Sequence, residues 1–159
     1  MRNKLIAVLG WPVCLLSLGL LAAFGLWRIT TPLVMADSAA DHTLYDDQLR
    51  NGWDDWSWDS NTVGDNSGIV HSGTHAYAVA YTAAWAAFYL HPTTPLNTAG
   101  YTHLRFWING GVLGGQHLQV KFNESEDHVY DVSATVNAWT QVDVPLAAMG
   151  NPATITAIY

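Results

Sequence analysis

The sequence predicts an all-β domain of two packed antiparallel sheets, preceded by an N-terminal apolar helix. Three observations lead there. From residue 41 onward no apolar run at 3.6-residue spacing is long enough for an ordinary helix. Short alternating runs bounded by Gly, Asn, Asp and Pro recur about every ten residues instead, the rhythm of a sandwich. Half of the chain is apolar and only 12% is charged, which excludes a disordered polar chain and leaves enough material for a core without disulfides.

Residues 1–36 form the first element. Arg2 and Lys4 make a positive start, and residues 5–27 are apolar apart from Ser17 and several Gly and Pro residues. A run of about 23 residues fits two readings, a signal peptide cut near Val34-Met35-Ala36 or Ser38-Ala39-Ala40, and a retained membrane anchor. Both place the following domain on the extracellular side, secreted or held at the membrane only through this segment. Cys14 lies in the apolar run, so the rest of the chain has neither a disulfide nor a cysteine nucleophile. Residues 37–41 read as a linker and residues 42–159 as the β-sandwich domain.

Strands are expected at residues 43–46, 53–58, 75–81, 86–91, 103–109, 117–122, 129–133, 140–144 and 154–159, each showing period-two alternation. Turn signals separate them at residues 61–68, at His71-Ser72-Gly73, at residues 92–95 and at Asn109-Gly110-Gly111. The alternation at residues 155–159 reads as a strand still in progress, suited to a sheet edge.

Charge narrows the partners. Of six basic residues, Arg2, Lys4 and Arg28 precede residue 36, so three remain against all 13 acidic residues and the domain carries a formal charge of −10. Nucleic acid, which is bound through Lys and Arg on phosphates, is excluded on that ground.

The most informative segment is Gly52-Trp53-Asp54-Asp55-Trp56-Ser57-Trp58-Asp59. On a strand, Asp54, Trp56 and Trp58 share one face and Trp53, Asp55 and Ser57 the other, which sets two indoles about 7 Å apart. A flat indole covers the C–H face of a sugar ring while neighbouring carboxylates and imidazoles bond its hydroxyl rim. Candidate ligand-binding residues are therefore Trp53, Trp56, Trp58 and Trp85 as platforms, Tyr89 beside them, and Asp54, Asp59 and His91 as polar partners. Trp85 earns its place because small residues surround it in Ala83-Ala84-Trp85-Ala86-Ala87. The competing reading puts these rings in the core. Trp107 and Trp139 read as core or sheet-edge residues, and Arg105 as one half of an ion pair.

No Gly-x-Ser-x-Gly elbow, no phosphate-cradling loop and no His-Glu-x-x-His occurs. The acidic group Glu124, Glu126 and Asp127 reads as a solvated hairpin turn. The chain is accordingly expected not to be an enzyme. Asp46 and Asp47, at a strand end, are the candidate calcium ligands, with no Asp-x-Asp-x-Asp-Gly loop to support them.

The stretches Leu44-Tyr45-Asp46-Asp47, residues 52–58, His71-Ser72-Gly73-Thr74, residues 85–91, Tyr101-Thr102-His103-Leu104-Arg105-Phe106-Trp107-Ile108 and Trp139-Thr140-Gln141-Val142-Asp143-Val144 occur in a distinctive order. Together they resemble the carbohydrate-binding-module-like, galactose-binding-like jelly-roll domains of secreted bacterial proteins. The resemblance implies a jelly-roll sandwich, a polysaccharide or glycan ligand on exposed aromatics, a structural calcium, and a neighbouring catalytic domain or surface protein as partner. It also implies a last strand with paired aspartates, which this sequence lacks. The expected function is thus a noncatalytic extracellular carbohydrate-binding module, with a structural or adhesive β-sandwich as the alternative.

Overall fold

The computed structural model describes residues 40–159. The expected leader of residues 1–36 with its expected apolar helix, Cys14 and most of the expected linker lie outside the described residues. Among the described residues the chain is all-β. It runs through β1 (Trp53–Asp55), β2 (Ser60–Asn66), β3 (Ala76–Tyr81), β4 (Leu90–Pro92), β5 (Leu96–Asn97), β6 (His103–Asn109), β7 (His117–Val120), β8 (Tyr130–Ser133), β9 (Trp139–Pro145) and β10 (Thr154–Ile155), with a 3-10 turn over Leu146–Met149.

The two broad sheets expected from the spacing resolve into five antiparallel ladders of two strands each: β1 with β4, β2 with β3, β5 with β10, β6 with β9, and β7 with β8. Interruptions explain the short ladders. Asn51, Asp59, Trp85, Asn123 and Glu124 all take positive φ, a conformation that ends extended pairing. The segment 43–46, expected as a strand, is a tight loop closed by the Arg50 N–H on the Leu44 carbonyl at 2.8 Å and by one bridge between Tyr45 and Leu49. Conversely, β2 occupies a stretch that reads as a turn, because Ser60-Asn61-Thr62-Val63-Gly64-Asp65-Asn66 is polar and broken by glycine. Gly64 gives the Tyr77 ring room across the ladder: a Cβ there would stand 3.1 Å from that ring.

Residues 157–159 are not at an edge. Leu90 and Ile158 exchange both backbone hydrogen bonds, at 2.8 and 3.0 Å, while Lys121 and Tyr159 exchange theirs at 2.6 and 3.1 Å. Ile158 thus bridges Leu90 on one side and Phe122 on the other. The β1–β4 and β7–β8 ladders are joined through it, in the order β1, β4, residues 157–159, β7, β8.

Trp53, Leu90, Val120, Phe122, Val132, Val142, Val144, Leu146, Met149 and Ile155 form the core, and Val144 is completely buried. Beside it, Asp55 ties three strands together. Its Oδ1 accepts from the Ser57 N–H at 2.9 Å, and its Oδ2 accepts from the Thr62 hydroxyl at 2.8 Å and the Tyr77 hydroxyl at 2.5 Å. Burial pushes the Asp55 carboxyl up, but the hydrogen bonds from Ser57, Tyr77 and Thr62 outweigh it and hold the group below the usual carboxylate range. Tyr77 is driven strongly upward by burial and by that same carboxylate.

Two outcomes follow for stability. Phe122→Ala, which empties a core position that is 3% exposed, is expected to cost about 3–5 kcal/mol in urea unfolding. A carboxyl with a lowered folded-state pKa contributes stability above its unfolded pKa and loses it as pH falls through the folded value. Stability should therefore decline below about pH 4. Asp55→Asn should be less stable than the parent at pH 7 by about 1 kcal/mol and show a flatter acid limb in thermal melts between pH 5 and 2.

Candidate aromatic binding face

β1 stops at Asp55, but residues 56–58 continue beside residues 87–89. The Trp56 N–H donates to the Tyr89 carbonyl at 2.9 Å, and Trp58 and Ala87 exchange hydrogen bonds at 3.2 Å. Period-two alternation survives this irregularity. Asp54, Trp56 and Trp58 face solvent, with Trp56 58% and Trp58 43% exposed. Trp53 faces the other way and is a correction to its placement among the sugar platforms: it is 3% exposed, belongs to the core and donates its indole N–H to His42 Nε2 at 3.2 Å.

The antiparallel register sets His91 opposite Asp54. The same register carries Tyr89 beside Trp56, Tyr159 beside Tyr89 and Lys121 beside Tyr159, a row crossing four neighbouring chain segments. The rings meet in that row. Trp56 and His91 are stacked with centroids 4.0 Å apart and planes 2° apart. Tyr89 lies 5.6 Å from Tyr159 and 5.4 Å from Trp58, and Trp58 lies 6.3 Å from Tyr159. Tyr89 is buried by its neighbours on this outer face and forms the floor between them. Its hydroxyl donates to Glu124 Oε1 at 2.9 Å. Burial and then the Glu124 carboxylate raise the Tyr89 pKa, and burial followed by the Glu126 charge raises that of Tyr159. The Lys121 ammonium sits 6.0 Å from the centre of the Tyr159 ring and is paired with Glu126.

Trp85 is 93% exposed at the tip of a turn, with φ of 64°. Its carbonyl accepts the Trp58 indole N–H at 2.9 Å, so the backbone of Trp85 fixes the orientation of Trp58 while its own ring stands free. Asp59, also at positive φ, uses its carbonyl to accept from the Thr82 N–H and hydroxyl at 2.8 and 2.7 Å. The structure therefore gathers Trp56, Trp58, Tyr89, His91 and Asp54 on one face and sets Trp85 and Asp59 at its margin.

Tyr159, Lys121 and Glu124 belong to the face as well and escape the sequence reading. Glu124 was expected in a solvated turn, and only the pairing of residues 157–159 brings the other two alongside.

Asp46 and Asp47, the expected calcium ligands, have other work. Asp47 Oδ1 accepts from the Thr74 and His75 N–H groups, each at 2.8 Å, and its Oδ2 accepts from the Thr74 hydroxyl at 2.9 Å. Those two backbone donors hold its carboxyl below the usual range. Asp46 pairs with Arg50 at 3.8 Å. Among the described residues no three of His, Cys, Asp or Glu converge on one point.

The two tryptophans should separate in unfolding experiments. Trp53→Ala is expected to cost about 3–5 kcal/mol by urea denaturation, whereas Trp56→Ala should stay within about 1 kcal/mol of the parent. Acrylamide should quench the parent's fluorescence strongly, and much less once Trp56, Trp58 and Trp85 are all replaced by Phe.

No protein-family model matches the chain. A protein from Dictyostelium discoideum named Endoglucanase is 26% identical over 110 residues, covering 63% of this chain and 15% of the relative. The chain thus spans about 15% of the length of the curated relative it matches. The expectation that the chain is not an enzyme is corrected by this match, since the relative carries the name of an enzyme.

Proposed function

We propose that this chain is an extracellular carbohydrate-binding domain that lays a segment of neutral polysaccharide across Trp56, Tyr89, Tyr159 and Trp58. The observation that carries this reading is the exposure of Trp56 and Trp58 on one face with a tyrosine floor between them. Indole faces take the C–H side of pyranose rings. Asp54, His91, Glu124 and Lys121 stand at the margins, where sugar hydroxyls would point.

Charge supports a neutral ligand. Three basic residues against 13 acidic ones repel a polyanion, and Lys121 is already paired with Glu126. The name of the Dictyostelium discoideum relative, Endoglucanase, favours a glucan. If each indole covers roughly 100 Å² of sugar, the gain is about 2.5 kcal/mol per ring before ordering costs, which gives millimolar to micromolar affinity. Binding of that strength suits a domain that holds a polymer beside another activity, in the same polypeptide or on the same surface.

Affinity electrophoresis through gels containing hydroxyethylcellulose, xylan, galactomannan or laminarin tests the proposal. The parent should be retarded by at least one of them. Trp56→Ala and Trp58→Ala should each weaken that retardation about tenfold or more, with melting temperatures near the parent's. Unaltered migration in every gel would overturn the reading.

A further inference from the structure

β6 and β9 pair over seven residues, from His103 opposite Pro145 to Asn109 opposite Trp139. Leu104, Phe106 and Ile108 pack against the core beside Val142 and Val144. Alternation then turns Arg105, Trp107 and Asn109 outward, with Asp143, Gln141 and Trp139 directly opposite them. Trp107 is 42% exposed, and the two indoles lie diagonally across the ladder. Of the two places expected for these tryptophans, core or sheet edge, the two-stranded ladder gives them the second.

His71, exposed in the loop between β2 and β3, lies flat on Trp107 with centroids 3.9 Å apart and planes 19° apart, and meets Trp139 edge to face, with centroids 5.6 Å and planes 72° apart. Arg105 closes on Asp143 through Nε at 3.2 Å and Nη2 at 2.8 Å. The ladder face thus carries an indole already covered by a flat ring from a surface loop, a second indole beside it, the exposed amide of Gln141, and a guanidinium whose charge is met by its carboxylate.

We infer that this ladder face is a second sugar contact, distinct from the Trp56–Trp58 face, which takes a pyranose of an uncharged polysaccharide onto Trp107 in the place His71 now holds. The indole supplies the platform. The exposed amide of Gln141 supplies a donor and an acceptor for hydroxyls, and the outer N–H groups of the Arg105 guanidinium supply further donors, while Asp143 is occupied by Arg105. An anionic sugar is disfavoured because Arg105 is already neutralised on a strongly acidic domain. Two contacts on one domain make retention by a long chain exceed that by a short oligosaccharide, since the second engagement is intramolecular.

The inference stands apart from the first face, and the test separates them. Trp56→Ala/Trp58→Ala serves as background, run through hydroxyethylcellulose and laminarin gels. Residual retardation is expected there. Adding Trp107→Ala should abolish it, and adding Gln141→Ala, which leaves both indoles in place, should weaken it about twofold to threefold. Adding His71→Ala should strengthen it about twofold or more by uncovering the indole. Three results would overturn the inference: no retardation of the background in gels that retard the parent, residual retardation indifferent to Trp107→Ala, or a loss with His71→Ala as large as with Trp107→Ala. The last would make the imidazole a structural clasp. Thermal melts of each variant confirm folding.

Discussion

The outer aromatic face depends on one set of backbone hydrogen bonds, those that hold residues 157–159 between the continuations of β4 and β7. Ladder bonds fix register, and a slip of one residue would turn Tyr159 inward and Ile158 out. In the observed register Tyr159 completes a row with Trp56, Tyr89 and Lys121. The same bonds satisfy the Leu90 and Lys121 amides, which would otherwise be unpaired edge groups. Core and face are thus built by one pairing, with Ile158 packed inward against the cluster and Tyr159 packed outward against Tyr89.

Orientation of the rings is then set by contacts of other kinds. Trp58 is aimed by its indole hydrogen bond to the Trp85 carbonyl, which requires the positive-φ turn at residue 85. Tyr89 is aimed by Glu124, Trp56 by the parallel imidazole of His91. Every ring on this face has a partner that limits its rotamers, so less conformational entropy remains to be lost when a ligand settles on it. Asp55 performs the matching service beneath, gathering Ser57, Thr62 and Tyr77 so that the break in β1 does not let residues 56–58 drift from residues 87–89.

Much of this was legible in the sequence. The all-β class, the strand at residues 103–109, the heart of its partner at residues 140–144, and the split of Trp53 from Trp56 and Trp58 all follow from period-two alternation. Alternation alone does not say which face is inside, and for the Trp53 segment both faces carry indoles. That choice is made by the core, where Leu90 and Phe122 leave a place for Trp53. β2 was illegible for a different reason: its strand character comes from partners on β3 and from Asp55, with no apolar alternation of its own. Tyr159, Lys121 and Glu124 were hidden because they meet through pairing between segments about 35 to 70 residues apart, which no local window contains.

The same device occurs twice on this surface: a half-exposed indole with an imidazole lying parallel on it, His91 on Trp56 and His71 on Trp107. An uncovered row of tryptophans would present a contiguous apolar patch, and such patches associate with one another. A histidine cover shields the ring from water while offering polar nitrogens at its rim. The two covers differ in how they are held. His91 sits in β4, where its backbone is fixed opposite Asp54 by the ladder, so its imidazole can shift only by a change of rotamer. His71 sits in an open loop and can move on its own. A ligand on Trp56 must therefore share the face with His91 as a fixed neighbour, whereas a ligand on Trp107 must replace His71. On the proposed reading, a sugar on Trp56 meets an imidazole fixed by its strand, and a sugar on Trp107 takes the place of one carried by a loop.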